Sequence, residues 1–266
     1  MSNYIYGKEP LHKTVQRLSK FSYDGIEMQG KPEIYNLKKA RKLFADHHLS
    51  VSSVGAIGLY RLDPSSAKED ARVRAIQYLK ECVDFATHLE APLVAVAATR
   101  SAKVEPERSA QAEWKFAVES IRAVGEYAEK AGVSLAVEPV NRYRTYLLNN
   151  VDQALKFIDE VGLNSVKIML DCFHMNIEEP DPVDAVRKAG KQLIHMHVAD
   201  SNRLSVGRGH LDFKAIVRAL KEIGYDRYLT MEIHLRPDPF IPLSEEEADL
   251  YTEETIRLLR IYEKIC

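Results

Sequence analysis

The sequence predicts a (β/α)8 barrel, a single α/β domain filling residues 1–266, and three observations predict it. The chain has 266 residues, close to the roughly 250 typical of such barrels. Short apolar, β-branched runs alternate with longer amphipathic stretches throughout, as parallel strands joined by helical crossovers require. In the C-terminal half, successive apolar runs end in Glu138, Asp171, His197 and Glu232, at gaps of 33, 26 and 35 positions. Each gap accommodates one strand, loop, helix and return.

Taken in order, the first strand is expected at residues 4–7 (YIYG) and the second at 24–28 (DGIEM). The third is expected at 50–57 (SVSSVGAI), followed after a long helix by 92–99 (PLVAVAAT). That helix, 68–89, should pack outside the barrel on Val73, Ile76, Leu79, Val83 and Ala86, which recur at three- and four-residue spacing. Four strands then follow at 134–138 (SLAVE), 166–171 (VKIMLD), 193–197 (LIHMH) and 229–232 (LTME). The last helix, 244–264, opens on Ser244 with Glu247 three residues later, a capping-box signature. Tyr251, Thr255, Leu258, Leu259 and Tyr262 lie along one of its faces. No Gly/Ser linker or low-complexity tract suggests a domain boundary.

Thirty-seven basic residues against 39 acidic ones leave a net charge of −2, so no general attraction to nucleic acid or anionic membrane is expected. No run approaches the roughly 20 apolar residues of a membrane span, and the N-terminus lacks a signal-peptide pattern. Cys82, Cys172 and Cys266 are far apart and form no CxxC or zinc-finger motif. The expectation is a soluble cytoplasmic protein acting on a small molecule.

If the strands are parallel neighbours, the four polar side chains emerge together at the C-terminal face, where such barrels carry their active sites. Three carboxylates and an imidazole converging there describe a divalent-metal site. Hard oxygen and borderline nitrogen donors without thiolate favour manganese, cobalt, magnesium or ferrous iron over a structural zinc. Polar strand ends can also merely cap helices or satisfy loop backbone, but four on consecutive strands are better explained by a shared ligand. Alternation along the strand turns the Cys172 thiol toward the helices. It places His195 on the same face as His197 but one layer deeper, as its supporting partner.

The stretches EPVNRY (138–143), LDCFHMNIEE (170–179), HMHVADSNR (195–203), GRGHLDF (207–213) and MEIH (231–234) carry a resemblance. In order and spacing they resemble the sugar isomerase and epimerase family with the xylose-isomerase-like TIM barrel. The ketose 3-epimerases related to D-tagatose 3-epimerase are the most similar branch. The resemblance implies that Glu138, Asp171, His197 and Glu232 bind one divalent metal ion, manganese ahead of cobalt, magnesium and ferrous iron. It implies that Glu138 and Glu232 exchange protons with a keto-sugar, that His174 and Arg203 contact substrate oxygens, and that the protein forms a homodimer or homotetramer. The chemistry agrees: a C–H beside a carbonyl is too weak an acid for an unaided carboxylate, and inversion needs one proton carrier on each face of a planar enediolate.

Arg144 stands where many ketose 3-epimerases carry an acidic residue. Facing the pocket, it would join Arg203 and Arg208 in favouring a sugar acid, an oxidised sugar or a phosphorylated ketose; facing outward, it is a surface arginine. Val206 replaces a frequent proline. Tyr6, Glu27 and Tyr60 are candidates for the outer pocket. The same proton abstraction also begins β-elimination from a 3-oxo-sugar or C-glycoside, so a metal-dependent lyase is the alternative enzyme. A metal-containing binding protein without turnover and a barrel endonuclease are the other classes weighed; the near-neutral charge speaks against the endonuclease. The GRG segment at 207–209 is read as turn, with no nucleotide site.

Overall fold

The computed structural model describes residues 1–234 and 243–266. Its sheet is parallel throughout and runs in sequence order through β1 (Gly25–Gln29), β2 (Ser50–Gly55), β3 (Leu93–Ala97), β4 (Ser134–Glu138), β5 (Val166–Asp171), β6 (Leu193–Val198) and β7 (Leu229–Met231). The ring is closed by the first two residues of the chain. The Glu27 amide donates to the Met1 carbonyl at 2.7 Å and the Ser2 amide donates to the Met231 carbonyl at 3.1 Å, so this short segment bridges β7 to β1. A (β/α)8 barrel results, with its eighth position reduced to a bridge.

The strand expected at 4–7 is therefore corrected: Asn3–Tyr6 is a 3-10 turn that ends at Gly7 with φ 64°. In a strand, Tyr4 and Tyr6 would share one face. In the tighter turn successive side chains spread about 120° apart. Tyr4 consequently enters the barrel mouth, while the Tyr6 hydroxyl pairs with Thr252 at 2.5 Å on the outer layer.

Helices wrap the sheet as α1 (Leu11–Lys20), α2 (Leu37–Asp46), α3 (Glu69–His88), α4 (Ala110–Ala131), α5 (Val151–Val161), α6 (Cys172–Glu178), α7 (Pro182–Ala189), α8 (Phe213–Glu222) and α9 (Glu245–Ile265). Helix α3 buries Leu79, Val83 and Ala86 as expected, but Val73 is 58% exposed. Each three-residue step back from Leu79 falls about 60° short of a full turn. Ile76 consequently sits at the margin of the buried face and Val73 beyond it. The capping box of α9 is present: the Glu247 amide donates to Ser244 Oγ at 3.1 Å, and the Ser244 amide donates to Glu247 at 2.9 Å.

Most of the core lies between sheet and helices, and Cys172 belongs to it. A second cluster of Leu93, Ala95, Ala136, Met169 and Ile194 is formed by strand residues alone, as the filled interior of a barrel requires. Two irregularities in strand register lie beside the functional layer. Ile26 pairs Val51 and then Glu27 pairs Ser53; Ile168 pairs Leu193 and then Met169 pairs His195. Ser52 and Ile194 are the extra residues, and such bulges re-aim the side chains that follow.

Candidate active site

Glu138 ends β4, Asp171 ends β5, His197 lies near the end of β6, and Glu232 immediately follows β7. The Glu232 amide is tied to the Val198 carbonyl at 3.1 Å. Each of the four offers one ligand atom, and these atoms all lie within 4.8 Å of one another. The cluster forms the floor of a cavity of about 780 Å³ lined in part by Glu138, His197 and Glu232. Asp171 is wholly buried at its side.

His197 carries the clearest sign of what the floor accommodates. Its Nε2 faces Glu27 at 3.0 Å. A carboxylate in that position only accepts, so Nε2 carries a proton. Nδ1 is buried and makes no hydrogen bond, although Glu232 is only 3.2 Å away and Asp171 3.8 Å. Against burial, the Glu27 and Glu232 charges push the ring well above the usual histidine range, toward a form with a proton on Nδ1 as well; a shared cation would take the place of that proton between the ring and the carboxylates. The donor set thus fits a divalent ion of the oxygen- and imidazole-preferring kind.

Glu27, His195 and His197 also lie close enough to suggest a metal group. There the contacts are already satisfied: Glu27 Oε2 receives His195 at 3.2 Å, His197 at 3.0 Å and Ser53 at 2.8 Å. The two rings lie 5.2 Å apart, edge to face. This deeper set is a hydrogen-bonded footing for His197, and Glu27 is its centre. Glu27 touches the cavity, as expected of a pocket candidate, but at the floor and not at the outer end.

Arg203 lies in the cavity wall. Its guanidinium donates to both oxygens of Asp171 at 2.7 Å and also to Glu232. Each carboxylate has lone pairs on both oxygens, so these contacts and a cation can be served together. Arg203 has φ 63°, an uncommon backbone state for a side chain of this size and one that concentrates at functional sites. The Asp171 carboxylate additionally accepts from the Phe173 amide at 2.7 Å and the His174 amide at 3.2 Å, capping α6. The capping reading of this strand end is realised, and Asp171 also stands within the four-residue cluster that could hold an ion. His174 directs Nδ1 at Asn141, 2.7 Å away, and Nε2 toward Glu138, 3.9 Å away. Burial holds it neutral, down to about 4.

The two glutamates are driven in opposite directions. Burial, and then the neighbouring Glu232 charge, push Glu138 above the usual carboxylate range. Burial also pushes Glu232 upward, but His197 and Arg203 outweigh it and hold Glu232 well below that range. Burial and neighbouring charge thus push the two carboxyls apart, Glu138 toward its protonated form and Glu232 toward its charged one. A bound cation would add its own charge and draw Glu138 downward.

Tyr4 and His234 are functional candidates beyond those expected. The Tyr4 hydroxyl donates to Glu232 and lies 2.8 Å from His234 Nε2. His234 follows Glu232 by two positions, and that spacing was the available signal; nothing in YIYG marks Tyr4. Two outer-pocket expectations are corrected. Tyr6 faces α9, because the 3-10 turn sends it outward. Arg208 is engaged by Glu254 at 2.7 Å, which takes its charge away from the cavity. Tyr60 and Arg144 both line the cavity, with the Arg144 guanidinium 5.8 Å from the Tyr60 ring centre.

A family model described as xylose isomerase-like TIM barrel matches residues 15–262. The chain belongs to this family. Among its relatives, an L-ribulose 3-epimerase of Mesorhizobium japonicum is 33% identical over 224 residues, which cover 84% of this chain and 75% of that one. A D-psicose 3-epimerase of Enterocloster bolteae is 47% identical over 116 residues, but this match covers 44% of the chain and only 38% of the relative's length. The solved D-psicose 3-epimerase of Clostridium cellulolyticum H10 superposes with a TM-score of 0.88 at 25% identity, covering 99% of this chain and 98% of that one. These family relatives are epimerases, isomerase-class enzymes. No helix among the described residues is long and apolar enough to cross a membrane.

Proposed function

We propose that the chain is a divalent-metal-dependent ketose 3-epimerase in which Glu138 and Glu232 move the proton. The observation that carries this reading is the pair itself. Two carboxylates three strands apart around the ring line one cavity, and each offers a ligand atom to one cluster that could hold a metal ion. The resemblance to epimerases supports the same assignment.

Glu138, Asp171, His197 and Glu232 would hold the ion, manganese ahead of cobalt, magnesium or ferrous iron. When bound, such an ion supplies Lewis-acid stabilisation of charge developing on the sugar oxygens, a contribution of several kcal/mol. The protein's own groups do the rest. The ionised glutamate takes the proton beside the carbonyl, and the protonated one delivers a proton to the opposite face. Arg203 and His174 donate hydrogen bonds to the sugar oxygens as charge builds there. Asn141 and Glu27 keep His174 and His197 oriented. Tyr4 holds Glu232 by a phenol that burial keeps protonated.

The test is incubation of metal-loaded protein with a panel of ketoses in deuterated water. Deuterium at the carbon next to the carbonyl, with substrate and product of otherwise equal mass, is expected. Loss of water or of an aglycone would instead establish elimination. Retention of wild-type exchange by both Glu138→Gln and Glu232→Gln would overturn the assignment. The resemblance also supports a homodimer or homotetramer, which light scattering of the purified protein checks.

A further inference from the structure

The cavity has a second polar end. Arg100, in the loop after β3, and Arg144, in the loop after β4, line the same cavity as Glu138 and Glu232. Neither side chain makes an ion pair or hydrogen bond among the described residues; Arg144 rests only near the Tyr60 ring. Nearby arginines outside the cavity behave differently. Arg142 pairs with Glu178 at 2.8 Å and Arg208 with Glu254 at 2.7 Å.

Charge is thus divided along the cavity. Its acidic lining residues, among those described, are Glu27, Glu138 and Glu232. All three belong to the floor, where His197 faces Glu27 and Glu232, Arg203 pairs with Glu232, and His174 lies 3.9 Å from Glu138. The outer wall carries guanidinium groups with no carboxylate opposite. Arg144 is exposed and Arg100 half-buried, so water solvates both in the free protein, and two unanswered cations at the rim raise the local concentration of an anion. The planar guanidinium fork matches the oxygens of a carboxylate or phosphate.

We propose that the outer end of the cavity binds an oxyanion, carboxylate or phosphate, carried on the keto-sugar at the end remote from its reacting carbon, with Arg100 and Arg144 as ligands. The inference rests on the epimerase reading of the floor and adds the substrate class. The charge layout sets the orientation: an anion pointed inward would face Glu138 and Glu232, and pointed outward it meets both arginines. A volume of about 780 Å³ lies within the roughly 300–1,000 Å³ of pockets for drug-sized molecules, so a sugar with an added acidic group has room.

The test compares a neutral ketohexose, its 6-phosphate and a ketohexuronate by deuterium exchange, in wild type, Arg100→Gln and Arg144→Gln. Wild type is expected to favour one of the two anionic sugars in kcat/KM, with a preference that shrinks as sodium chloride is added. The favoured sugar tells phosphate from carboxylate. Each variant should lower the anionic-to-neutral ratio by about 10- to 100-fold, the effect of losing a charge-assisted hydrogen bond. A wild type that favours the neutral sugar, or variants that keep the wild-type ratio, would overturn the proposal while leaving the epimerase reading intact. If no sugar exchanges deuterium, that reading fails by itself, and calorimetric binding of the 6-phosphate and the uronate still decides the arginine site. Weaker binding by the variants supports it; equal binding, or none to wild type, overturns it.

Discussion

The two halves of the barrel contribute to the cavity in different ways. Strands β4 to β7 deliver the donor set from consecutive strand ends, one polar residue per unit. The N-terminal half supplies what orients and surrounds that set: Tyr4 on Glu232, Glu27 and Ser53 beneath His197 and His195, and Tyr60 and Arg100 in the wall. The difference teaches that a candidate ligand and its support are written in separate places. A donor at a strand end is placed by local geometry, whereas its partner arrives from across the ring.

Breaking the C-terminal set should have the largest effect. Glu138→Gln or Glu232→Gln is expected to reduce kcat for ketose epimerisation by about 100- to 10,000-fold, with an unchanged circular dichroism spectrum showing that the barrel still folds. Breaking the N-terminal support should cost less and act through the ion. Glu27→Gln leaves an amide able to donate as well as accept, so the His197 tautomer is no longer enforced; metal affinity measured by competition with a chelator should fall about 10- to 100-fold. A variant with wild-type affinity would show that His197 needs no such footing.

Tyr4 and Tyr6 sharpen the comparison, because they stand two residues apart in one turn and point to different layers. Tyr4→Phe removes the hydroxyl from Glu232 and His234, and kcat should drop about tenfold, the equivalent of one hydrogen bond of about 1–1.5 kcal/mol. Tyr6→Phe removes only the contact to Thr252. It should leave kcat and KM unchanged and lower unfolding stability by about 1 kcal/mol in urea. Equal effects of the two on turnover would contradict the 3-10 turn. Val73→Ala is the smallest expected change, within about 0.5 kcal/mol, because that side chain is exposed on α3; a core-sized loss would restore the expectation that Val73 packs inward.

The strand rhythm and the convergence of the four polar strand ends were legible because each is a short-range signal: a short continuous apolar run, a polar residue at its end, a helix-length gap. The α9 start was legible for the same reason, since Ser244 and Glu247 bond to each other within one turn. Three features were not. The eighth strand position was expected at 4–7 but fell to Met1 and Ser2, while residues 3–6 turn and send Tyr4 to Glu232 and Tyr6 to Thr252, partners more than 200 positions away that no local pattern marks. The bulges at Ser52 and Ile194 depend on the neighbouring strand and leave no local signature. Arg208 looked available to the cavity until α9 placed Glu254 against it.

The sequence alone determined that strands and helices alternate, and that three acids and an imidazole reach one rim, because strand period and strand ends are local properties. Tertiary structure decided which carboxylate orients His197, in which direction each glutamate's proton affinity is pushed, and which arginines remain unpaired. Those properties depend on burial and on charges brought together from residues 27, 100, 138 and 232, and separation along the chain carries no information about distance once the ring has closed.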